Sequence, residues 1–88
     1  MPYIDKKKRE IYEPELSRLR GKIKSSETSK GDLTYLVYCL GLEFFKDKKS
    51  YTGISTSISC LQDAAEEIRR RHLNPYEDKK IQENGDVE

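Results

Sequence analysis

This sequence is poor in residues that stabilise a small protein by chemistry instead of packing. It has two cysteines, Cys39 and Cys60, and one histidine, His72, none with a neighbour at the short spacing that zinc sites use. No metal and no other cofactor is expected. Both cysteines lie among apolar residues of helical pattern, so each is expected to be a buried, reduced thiol acting as a small hydrophobe. The five glycines, Gly21, Gly31, Gly41, Gly53 and Gly85, stand singly and match no phosphate-cradling spacing. His72 has no serine or cysteine nucleophile near it in sequence, and the chain reads as a non-enzyme. Long apolar runs are missing too: no stretch approaches membrane-spanning length, and Met1-Pro2-Tyr3-Ile4 passes straight into charged residues. A cytoplasmic protein with no membrane contact is expected. Nor does one charge dominate, since 17 basic against 16 acidic side chains leave a net +1. The basic clusters Lys6–Arg9 and Arg69–Arg71 raise nucleic acid as a partner, but a phosphate-backbone binder usually carries a strong positive excess, so this is the weakest of three readings.

What the sequence does have is helical periodicity. Asp5 is placed to cap a first helix over about 6–25, in which Tyr12, Leu16, Leu19 and Ile23 recur at helical spacing and Pro14 can occupy the first turn of a continuing helix. After a polar stretch, Asp32 is read as the cap of a second helix over 32–47. Its stripe Leu33, Leu36, Val37, Leu40 and Phe44 is joined by a second one, Tyr35, Tyr38, Leu42 and Phe45, on another side of the cylinder. A third helix over 51–74 carries Ile54, Ile58, Leu61, Ala65, Ile68 and His72 in a bundle-seam rhythm, which makes His72 a partly buried structural residue. Ser55, Thr56, Ser57 and Ser59 are weak helix formers, so the first half is expected either to fray or to lean on tertiary packing. Pro75 disfavours helical geometry at Asn74 and is expected to end the helix there. The fold class is therefore all-α: one domain over 1–88, a three-helix antiparallel bundle with an ordered C-terminal tail over 75–88.

Size adds a constraint. A chain of 88 residues buries only about 60–65% of its unfolded surface, so its own core is marginal. With disulfides and metals set aside, self-association is the remaining aid. A second helix apolar over most of its circumference cannot be covered by two companions, which points to a homo-oligomer, a dimer or higher.

The tail Pro75-Tyr76-Glu77-Asp78-Lys79-Lys80-Ile81-Gln82-Glu83-Asn84-Gly85-Asp86-Val87 is too varied for a disordered segment and holds Tyr76, Ile81 and Val87 as anchors. Together with Met1-Pro2-Tyr3-Ile4-Asp5 and Gly31-Asp32-Leu33-Thr34-Tyr35, it resembles an uncharacterised family of small proteins encoded by bacteriophages and prokaryotic genomes. The resemblance covers most of the chain and implies a phage or bacterial setting, with no catalytic residue to carry over.

Arginine offers a planar fork for phosphate, and tyrosine a face for a base. On that chemistry the candidate ligand site is Arg70 and Arg71 with Tyr35, Tyr76, Asp78, Lys80 and Asn84, forming a pocket for a small anionic ligand between subunits. In a viral setting such a ligand would be a nucleotide-derived host immune signal. The alternatives are a protein-interaction module that docks a host or virion protein, and a tail that merely straps the bundle, with Tyr76 and Ile81 filling a groove and Glu77 or Asp78 pairing with the arginines.

Overall fold

The computed structural model describes residues 3–23, 27–47 and 49–88. Every regular element among them is helical: α1 over Lys6–Ile23, α2 over Lys30–Phe45, α3 over Tyr51–Ile68, a π-helical turn over Arg69–Leu73 and α4 over Asn74–Asn84. The protein is all-α.

The helix starts follow local hydrogen bonding. Asp5 caps α1, its Oδ1 accepting from the Lys8 N–H at 3.0 Å. Pro14 lies well inside α1, which runs through it unbroken. The cap of α2 is Ser29, not Asp32. Ser29 accepts from the Asp32 N–H while the Asp32 carboxylate accepts from the Ser29 N–H at 2.8 Å, so Asp32 is the far half of a capping box and the helix begins at Lys30. Ser50 caps α3 through the Gly53 N–H at 3.0 Å. The expected end of the first helix beyond Ile23 lies outside the described residues.

The largest departure is at Pro75, where the chain stays helical to Asn84 instead of stopping at Asn74. Proline has no N–H to donate, and its ring collides with the carbonyl four residues back, here that of Arg71. The chain relieves this by widening the preceding turn, so that the Asn74 N–H reaches the Arg69 carbonyl five residues back. Helical dihedrals persist across the junction at Leu73 and Asn74. The helix ends at Gly85, whose φ of 88° suits a residue without a Cβ and whose N–H closes on the Ile81 carbonyl at 2.8 Å. The tail is thus a helix continuing α3, and it packs on no element except the π-turn. Tyr76 and Ile81, expected in a groove, are exposed.

Among the described residues, one pair of helices distant in sequence packs with close backbone approach. α2 and α3 meet where Gly41 faces Ser57, and these are the only buried positions among the described residues. The Ser57 hydroxyl donates to the Gly41 carbonyl at 2.8 Å. A Cβ added at Gly41 would stand 3.0 Å from Leu61 Cδ1 and 3.3 Å from Ser57 Oγ, so glycine is what lets the two backbones approach. The weak helix formers of α3 thus include its contact point, Ser57. Flanking this crossing, Tyr38, Leu42 and Phe45 of α2 and Ile54, Ile58 and Leu61 of α3 line an apolar furrow.

α1 is not packed backbone to backbone against any other helix. Its ridge of Tyr12, Leu16 and Leu19 looks across an open apolar trough at Leu40. No hydrophobic side chain among the described residues is buried. Cys39 is half-buried and Cys60 exposed, so neither is the core thiol expected, and His72 sits exposed on the π-turn.

Candidate functional site

The densest polar constellation lies where the N-terminal segment meets the end of α3. Helical spacing puts Arg70 three and Arg71 four residues beyond Glu67, and both guanidinium groups converge on Glu67 Oε1, Arg71 Nε at 2.6 Å and Arg70 Nη2 closer still. Tyr3, 64 residues away in sequence, donates its hydroxyl to the same oxygen at 2.6 Å. Arg71 also donates to the Tyr3 hydroxyl and lies over the tyrosine ring, 5.4 Å from its centroid. A third arginine, Arg69, pairs with Glu66 at 3.7 Å. Tyr3 is held in reach because Asp5 starts α1 directly behind it and Arg9 Nε donates back to the Ile4 carbonyl at 2.9 Å.

Three donors on one carboxylate favour its charged form. The Tyr3 hydroxyl first, then Arg70 and Arg71, hold Glu67 down from 4.5 to about 2. The same contacts, Glu67 foremost and Tyr3 next, raise both guanidinium groups above their ordinary value. The cluster is an anion clamp whose present anion is the protein's own side chain.

The expected site residues divide into three groups. Arg70 and Arg71 both meet Glu67 and Tyr3. Tyr76 and Lys80 form a separate pair on α4, the ammonium 5.6 Å from the ring centroid, and Lys80 also reaches Glu83 at 3.3 Å. Asp78 and Asn84 stand exposed on the same helix. Tyr35 lines a different trough, with Leu19, Lys22, Ile23, Thr28, Asp32 and Leu36, and its hydroxyl is pushed up by a hydrogen bond with Cys39 one turn along. A single chain therefore does not assemble the seven into one pocket, and the arginines pair with Glu67 instead of Glu77 or Asp78. Tyr3 is the member that sequence reasoning missed, whereas Glu66 and Glu67 read from the sequence as ion-pair partners of Arg69–Arg71 across helical turns, and they are. The spacing of Glu67 to both arginines was visible in the sequence, whereas nothing local marks Tyr3 as their partner.

No helix is long and apolar enough to cross a membrane, and no group of three His, Cys, Asp or Glu side chains gathers as a metal would require, both among the described residues. No curated protein and no solved structure matches this chain. Residues 1–87 match the family described as a domain of unknown function, DUF6899, and the chain belongs to that family.

Proposed function

We propose that this chain is a non-enzymatic binding protein that folds and acts as a homo-oligomer. One quantity carries the reading. The chain exposes 8286 Å², while a folded monomer of its 10.3 kDa exposes about 5,400 Å². The excess is about 2,900 Å² per chain, well beyond the roughly 800 Å² each partner buries in a standard interface and at the upper end of obligate ones. The radius of gyration agrees: 16.7 Å, against about 12 Å for a compact 88-residue domain. Native mass spectrometry with small molecules retained tests it: a multiple of the chain mass is expected, and a bare single chain at high concentration overturns it. If the single chain instead leaves a lysate bound to one protein at fixed stoichiometry, the interaction module is the better reading.

A second reading, capture of a small anionic ligand, is favoured by the clamp itself. Arg70, Arg71 and Tyr3 hold one carboxylate oxygen at hydrogen-bonding distance, the donor set that a phosphate requires, and a second chain is needed to bring Tyr35, Tyr76 or Lys80 to it. A nucleotide-derived ligand fits this chemistry, and a phage-encoded protein is the setting the resemblance suggests. Thermal stabilisation that grows with ligand concentration is the expected result for a panel of nucleotides, cyclic nucleotides and inorganic phosphate. A panel that shifts nothing removes this reading.

A further inference from the structure

We propose that the surface through which copies meet is the uncharged stripe of α2 made by Leu33, Val37, Leu40 and Phe44, paired with the same stripe of a second copy; this rests on the oligomeric reading above. Three observations point to it. First, the spacing of 4, 3 and 4 residues is that of a coiled-coil seam, which keeps one narrow line of side chains facing a partner helix. Second, the stripe is spare. α2 meets α3 through a different set, Tyr38, Gly41, Leu42 and Phe45, and only Leu40 of the seam also looks toward α1, across an open trough. Leu33 is 54% exposed, and Leu40 and Phe44 are each 63% exposed. Third, the occupant is set by charge. An interface between identical copies opposes each surface to itself, so any net charge on it repels. α1 carries seven basic and three acidic residues and is a poor candidate, whereas Leu33 to Leu42 contains no Asp, Glu, Lys or Arg.

The seam is tested by charge insertion and by cross-linking, read against the wild-type oligomer. Leu40→Lys places an ammonium in the seam and is expected to weaken association by at least about tenfold, because the charge loses its water without gaining a partner. Ile11→Lys, on α1 and 66% exposed, is expected to leave the oligomer intact. Because Leu40→Lys can also unfold a chain that needs its partner, a second experiment keeps the fold. In a background of Cys39→Ser and Cys60→Ser, Val37→Cys is expected to form a disulfide dimer under mild oxidation on the order of tenfold faster than Tyr51→Cys, since facing thiols react at high effective concentration. An oligomeric wild type with Leu40→Lys still assembled and Val37→Cys no faster than Tyr51→Cys overturns the seam and leaves the oligomer standing. A monomeric wild type overturns both.

Discussion

Glu67 holds the N-terminal segment against the end of α3, and its protonation state governs whether it continues to do so. With its pKa at about 2 in the folded chain against 4.5 for a free side chain, Glu67 binds fewer protons folded than unfolded at acid pH. Its contribution is therefore complete above about pH 4.5 and is lost as pH falls toward 2. Thermal midpoints measured from pH 6 to pH 2 at fixed protein concentration should decline through that window, and Glu67→Gln should flatten this part of the decline. If the two slopes match, the carboxylate is not clamped in solution. Tyr3→Phe keeps the ring beneath Arg71 but removes the hydroxyl from Glu67 and both guanidinium groups. Faster amide exchange at Ile4 and Asp5 with the helices unchanged is the expected outcome, and exchange identical to wild type would contradict the latch. These residues show how far single positions could be read. The arginines were visible as anion binders and Glu66 and Glu67 as their helical neighbours. Tyr3 was not, because its partner is reached through tertiary geometry that no local spacing encodes.

At the level of the elements, two contacts decide how the helices are arranged. At the α2–α3 crossing, alanine in place of Gly41 gains about 0.5–1 kcal/mol of helix preference, and the Leu61 methyl it meets is the end of a flexible side chain. Gly41→Ala should thus lie within about 1 kcal/mol of wild type, while Gly41→Leu, too large for side-chain adjustment, should cost about 1–3 kcal/mol by chemical denaturation. Gly41→Leu with full stability would mean that the crossing is looser than the Ser57 hydrogen bond implies. At the other end of α3, Pro75→Ala restores a backbone donor, so the 69–84 segment should gain amide protection and helical circular dichroism. No change in either would show that the wide turn has a cause other than proline. The existence and type of the first three helices were legible from apolar periodicity, and Asp5 from capping chemistry. The α2 start was misplaced by two residues because Ser29 and Asp32 are both competent caps, and only the reciprocal bonds between them decide. The α4 helix was missed because proline was read as a stop when a five-residue turn absorbs it. That the first half of α3 leans on tertiary packing was legible from its serines; that Ser57 is the contact was not, since a propensity scale cannot see a neighbouring glycine.

Across the whole molecule, the apolar stripes that define three helical segments end up with no hydrophobic side chain buried among the described residues. A chain that ordered its helices in this way alone would expose greasy surface to water, at about 25 cal/mol for each Å² left uncovered. The sequence signalled this through α2, whose apolar circumference exceeds what its own neighbours cover. It could not indicate that α1 would face α2 only across open troughs, because amphipathicity states which face is apolar and not what meets it. Obligate assembly is what we propose from this imbalance, and its most direct test is sedimentation equilibrium of the untagged wild type over a wide concentration range, with thermal unfolding at each concentration. A mass that is a fixed multiple of 10.3 kDa, with a midpoint rising as protein concentration rises, is the expected result. A 10.3 kDa species at every concentration, unfolding cooperatively at one unchanging temperature, would contradict it.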